Sequence, residues 1–99
     1  MTINKKAEGV RMTLTMDGRL DTITAPQLEN ELKLSLYGIK ELILDMEKLE
    51  YISSAGLRVI LMAQKQMERQ GGKLVVKNVD ETIMEVFEIT GFIDIIPIE

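Results

Sequence analysis

Asp45-Met46-Glu47-Lys48-Leu49-Glu50-Tyr51-Ile52-Ser53-Ser54-Ala55-Gly56-Leu57-Arg58 reads as a path from a buried strand, through a short connection, into a helix. Upstream, Glu41-Leu42-Ile43-Leu44-Asp45-Met46 is short and apolar-rich, as expected of a strand buried on both faces. Lys48 to Tyr51 then reads as the connection. The helix is predicted from Ser53-Ser54-Ala55-Gly56 to about Gln70. Leu57, Ile60, Leu61 and Gln64 share one face, with Val59, Met62 and Gln66 beside it, so its first half is well covered. Lys65 to Gln70 form a polar second half.

Working outward, Val10-Arg11-Met12-Thr13-Leu14-Thr15-Met16-Asp17 alternates strictly, which predicts a strand with one buried face. Residues 2–7 are a weaker strand that can pair with it through a Glu8-Gly9 turn, and Asp17-Gly18 marks a break. Thr24-Ala25-Pro26-Gln27 looks like a helix start with a capping box, and Ala25, Leu28, Leu32 and Leu36 repeat at helical spacing before Gly38. After Gly71-Gly72, Lys73 to Lys77 is a strand. Asp80 opens a third helix to about Thr90, with Ile83, Val86, Phe87 and Thr90 inward and Gly91 at its end. Phe92 to Ile98 is expected to be a last extended segment, with Pro97 on an edge. The order is β-β-α-β-α-β-α-β: an α/β fold, one domain over residues 1–99, with a mixed central sheet packed by helices.

Composition narrows the chemistry. With 99 residues and 45% hydrophobic content, the chain has material for one real core. It contains no cysteine and no histidine, which removes disulfides, thiolate metal sites and Ser–His or Cys–His catalysis. No catalytic residue, cofactor or metal site is expected, and Gly71-Gly72 is too bare for a phosphate loop. The net charge is −4 and the basic residues are scattered, so nucleic-acid binding is not expected. The longest uninterrupted apolar stretch, Val59 to Ala63, falls far short of the ~20 residues that span a bilayer. With a polar N-terminus and no signal-peptide pattern, the expectation is a cytoplasmic protein without membrane insertion, monomeric or weakly dimeric.

The strand–turn–helix segment carries the functional information. The first backbone N–H groups of a helix lack internal partners, and the helix dipole adds partial positive charge there. Either Ser53 or Ser54 can cap that end, and a phosphate would also be tolerated there. Asp45 is expected to bond to nearby loop amides rather than act as a catalytic carboxylate. Asp21 suits either a loop cap or a partner contact. Arg58 suits an acidic partner or a pairing with Glu50.

Tyr51-Ile52-Ser53-Ser54-Ala55-Gly56-Leu57-Arg58-Val59-Ile60-Leu61 resembles the signature of the anti-sigma-factor antagonists of the STAS family. Gly18-Arg19-Leu20-Asp21, Ala25-Pro26 to Leu32, Gly71-Gly72-Lys73-Leu74 and Phe87 to Phe92 resemble further family segments, in order along nearly the whole chain. The resemblance implies a non-enzymatic partner switch. The unmodified domain binds an anti-sigma factor, usually a serine-protein kinase, and so frees a sigma factor. The kinase phosphorylates a turn serine, and a phosphatase resets it. The family's phosphoserine stands two residues before the glycine, which implies Ser54, with Asp21, Ser53, Ser54, Gly56, Leu57 and Arg58 at the partner surface. Ser53 replaces the aspartate that the family places before its phosphoserine, a departure that implies altered kinase recognition, modification of Ser53 as the alternative site, or loss of the switch. A second expectation keeps the fold but makes the chain a STAS subunit docking on a membrane transport system, without phosphorylation.

Overall fold

The computed structural model describes all residues from Met1 to Glu99. Its elements are β1 (Thr2–Glu8), β2 (Arg11–Leu20), α1 (Ala25–Ser35), β3 (Glu41–Asp45), β4 (Leu49–Ile52), α2 (Ser54–Arg69), β5 (Lys73–Lys77) and α3 (Glu81–Thr90), followed by a 3₁₀ turn at Phe92–Asp94. The predicted α/β architecture with a mixed sheet is what forms. β1 and β2 make an antiparallel hairpin, and β2, β3 and β5 run parallel in that order.

The sheet is covered on one face only. Met12, Leu42 and Leu74 stand in register across β2, β3 and β5, as do Leu14, Leu44 and Val76, and all six are buried. Their neighbours Thr13, Ile43 and Val75 point to the opposite face and are half-buried. β3 is therefore not buried on both faces as its apolar run suggested. Its Leu42 and Leu44 meet the core, while Glu41, Ile43 and Asp45 look outward. The helices supply the other half of the core, through Leu28, Leu32, Leu57, Ile60, Ala63, Met67, Ile83 and Phe87. Met67 lies in the stretch of α2 that reads as polar, and it is nonetheless fully buried.

Further expectations are corrected. Leu49–Ile52 is a strand, not a connection: it pairs parallel with the end of β2, Gly18 opposite Leu49 and Leu20 opposite Ile52. The register shifts between Gly18 and Arg19, and β2 runs through the expected break at Gly18 by adopting φ +117° there. The C-terminal segment is not a strand. After Gly91 turns left-handed, Phe92 packs on Phe87 with ring centroids 5.9 Å apart, and Ile95 and Ile96 bond back to the Phe92 carbonyl. Only a single bridge remains, Val76 to Ile98, in which Pro97 accepts from the Val76 amide on the β5 edge at 2.9 Å. In α3, Ile83 and Phe87 face the core and Val86 is half-buried, but Thr90 is exposed and its hydroxyl donates to the Val86 carbonyl at 2.7 Å.

The hairpin turn falls at Gly9-Val10 rather than Glu8-Gly9, since Glu8 still pairs with Arg11. The capping box at α1 does not form. Thr24 has helical backbone angles, so its hydroxyl cannot reach the following amides. It serves the preceding turn instead, and Gln27 donates to the Met1 carbonyl at 2.9 Å.

Candidate functional site

β2 and β4 end side by side, and the two loops that leave them meet. The Ser53 amide donates to the Leu20 carbonyl at 2.9 Å, which joins the start of α2 to the turn that begins at Asp21. The two serines divide their roles. Ser53 has an extended backbone at the N-cap, and its Oγ accepts from the Gly56 amide at 3.4 Å. Ser54 is the first residue of α2, is exposed, and its hydroxyl takes no hydrogen bond within the chain. The cap and the free hydroxyl, which the sequence left interchangeable, are thus assigned.

Gly56 and Leu57 lie beneath this surface rather than on it. A Cβ on Gly56 would stand 2.6 Å from Leu20 Cγ and 3.1 Å from Ile52 Cγ1, so glycine lets α2 settle onto the ends of β2 and β4. Leu57 is buried in the core. Both shape the turn from below. Arg58, one turn into α2, is exposed and takes part in none of the ion pairs, including the expected one with Glu50. A cation in the first turn of a helix gains nothing from the dipole, so only its surroundings in solution or a partner balance it.

The turn at Asp21 is tightly bonded. Asp21 Oδ1 accepts from the amides of Ile23 and Thr24, both at 3.0 Å, and lies 3.2 Å from the Thr24 hydroxyl oxygen. The Thr24 amide is the main reason the Asp21 carboxyl is held below its ordinary range; partial desolvation opposes it, while the Ile23 amide, the Thr24 hydroxyl and the nearby Arg19 guanidinium add to it. Arg19 lies 3.8 Å from Asp21 Oδ2 and stacks over the Tyr51 ring, 4.2 Å from its centroid. Arg19, Ile23 and Thr24 were missed as site residues. Arg19 and Tyr51 were visible in the motif strings, but their contact depends on the pairing of β2 with β4.

Asp45 behaves as a loop anchor: its Oδ1 accepts from the Glu47 amide and from Asn78 Nδ2, each at 3.0 Å. A groove between α1 and α2, lined by Leu32, Leu36, Met62 and Arg69 among others, contains none of the residues from Tyr51 to Leu61. No helix is long and apolar enough to cross a membrane.

The fold is thus a small α/β domain with a one-faced sheet and its motif at the β4–α2 junction. The chain belongs to the STAS domain family, whose model matches residues 2–99, and within it to the anti-sigma factor antagonists, which are not enzymes. It is 40% identical over 99 residues to BtrV of Bordetella bronchiseptica, a protein assigned as an anti-sigma factor antagonist, covering 88% of this chain and 85% of that one. It is 31% identical over 98 residues to the anti-sigma-B factor antagonist of Listeria monocytogenes, covering 96% and 84%. Its fold is similar to the Bacillus cell fate determinant SpoIIAA solved in the phosphorylated form, with a TM-score of 0.77 at 17% identity over 99% of this chain and 91% of that one.

Proposed function

We propose that this chain is a partner switch: unmodified, it binds an anti-sigma factor with serine-protein-kinase activity and so releases a sigma factor, and phosphorylation of Ser54 ends that binding. One observation carries the choice of residue. Ser53 is committed to capping α2, while the Ser54 hydroxyl is exposed and unbonded at the same helix start. Ser53 therefore takes the structural part that leaves its neighbour free for chemistry.

The physical effect of the switch follows from its position. A phosphate adds about −1.5 to −2 charges and several acceptor oxygens. At the N-terminus of α2 that charge is tolerated, so the helix stays folded. What changes is the outer surface: a partner fitted to a small hydroxyl must accommodate bulk and desolvate a dianion. Losing ~3 kcal/mol weakens binding more than a hundredfold. A phosphatase acting on the exposed residue restores the binding form. Relatives at 31% to 40% identity are antagonists, which favours this reading over a transport subunit.

The test is to incubate the protein with ATP and its cognate kinase, map the phosphate by mass spectrometry, and compare the affinity of both forms for that partner. One phosphate on Ser54 with a large loss of affinity is expected. Modification of Ser53 instead, or equal affinity of the two forms, overturns the proposal.

A further inference from the structure

The turn between β2 and α1 holds an isoleucine out in solvent. Ile23 is 87% exposed. Single exposed hydrophobic side chains are common, and Leu34, Tyr37 and Ile89 are exposed to a similar degree. Ile23 differs in how it is held. Asp21 Oδ1 binds its amide and the next one, and Thr24 Oγ1 donates to the Arg19 carbonyl at 2.7 Å while accepting from the Asp21 amide at 2.9 Å. The Ser53–Leu20 bond fixes this turn against the loop that carries Ser54. A β-branched side chain on a clamped backbone has little freedom left to lose on binding, which favours it as an anchor.

We infer that Ile23 is the apolar anchor of the surface that Ser54 switches, and that Asp21 is a positioning residue that holds Ile23 in place. The occupant is the anti-sigma factor proposed above, and the inference rests on that reading. That partner presents an apolar pocket for a β-branched side chain beside the point where the Ser54 hydroxyl docks. Asp21 works through the two amides it holds, so an oxygen acceptor is needed at that position and a negative charge is not.

The experiment measures the affinity of the purified, unphosphorylated full chain for its purified cognate anti-sigma factor, in the wild type and in Ile23→Ser, Ile23→Val, Asp21→Ala and Asp21→Asn. Ile23→Ser is expected to weaken binding about tenfold or more, and Ile23→Val by less than about threefold. Asp21→Ala weakens binding as Ile23→Ser does. Asp21→Asn, whose side-chain oxygen keeps both amide bonds, restores most of the affinity. Thermal melting of Ile23→Ser should match the wild type, because the side chain is already in water. Ile23→Ser binding as wild type overturns the anchor. Asp21→Asn binding as weakly as Asp21→Ala overturns the positioning role and makes the charge itself the contact. If Ile23→Ser binds normally and phosphorylation of Ser54 still abolishes binding, only this inference fails. If the wild type shows no binding or no response to phosphorylation, the partner-switch reading fails and takes this one with it.

Discussion

The amide of Ser53 and the carbonyl of Leu20 are joined by a 2.9 Å hydrogen bond, which ties the start of α2 to the end of β2. Residues more than thirty positions apart thereby form one continuous surface. Ser54 lies on one side of that bond and Asp21, with its turn, on the other.

Charge at position 54 should control partner binding without disturbing the fold. Ser54→Asp is expected to weaken affinity for the anti-sigma factor about tenfold or more, less than a full phosphate does because it carries one charge. Ser54→Ala should bind within about threefold of the wild type, since the hydroxyl takes no internal bond. Melting of Ser54→Asp should be no lower than that of the wild type, because an acid suits the helix start. Calorimetric titration and thermal melts of both variants check this.

Position 53 should behave in the opposite way. Ser53→Ala removes the cap and should cost about 0.5–1 kcal/mol, toward the low end for a 3.4 Å bond, seen as a drop of a few degrees in Tm. Ser53→Asp supplies a carboxylate that caps equally well and should restore stability. Thermal melting of the two variants is the measurement.

Gly56→Ala should destabilise the protein although alanine is the better helix former. The added methyl meets Leu20 and Ile52, both buried in the core, so one of them must shift. Overpacking costs about 1–3 kcal/mol, against about 1 kcal/mol gained in helix propensity. A lowered urea midpoint is expected. A midpoint equal to or above that of the wild type would show that the β2–α2 junction gives way easily.

Glu41 sets an acid-sensitive point on the open face. It stands in register between Arg11 of β2 and Lys73 of β5 and pairs with both, at 3.1 Å to Lys73. Its carboxyl is held below the ordinary range, first by the Lys73 bond, then against partial desolvation by the Arg11 bond and the charges of both cations. A lowered folded-state pKa means the stabilisation is present above the ordinary glutamate value of about 4.3 and is lost as pH falls through the lower folded value. Glu41→Gln should therefore melt below the wild type at neutral pH and converge on it under acid conditions. Because both cations are exposed to solvent, added salt should shrink the neutral-pH difference. Melting curves from neutral pH downward, at two salt concentrations, test the sign.

Much of this fold was legible from short-range pattern. Met12, Leu14 and Met16 alternate, and Ala25, Leu28, Leu32 and Leu36 recur at helical spacing. In both sets the period that buries the residues is visible in the chain itself, and all are buried. Asp80 is as clear: its side chain accepts from the Ile83 amide at 2.9 Å, a bond made within a single turn. β4 was not legible. Four residues with a buried-exposed-exposed-buried pattern have no strand period, and they become a strand only because the end of β2 offers unpaired backbone. The C-terminal segment failed for the converse reason. Its apolar residues suit a strand, but burying Phe92 against Phe87 needs a tight turn directly after Gly91.

The amino-acid sequence by itself determined the α/β class, the one core and the segment proposed to carry the function, because periodicity, caps and motif spacing are local properties of the chain. The tertiary structure alone decided which serine is spent and which is free, and what stands beside it. Those outcomes depend on hydrogen bonds and steric contacts between Leu20, Ser53 and Gly56, residues brought together only when β4 pairs with β2.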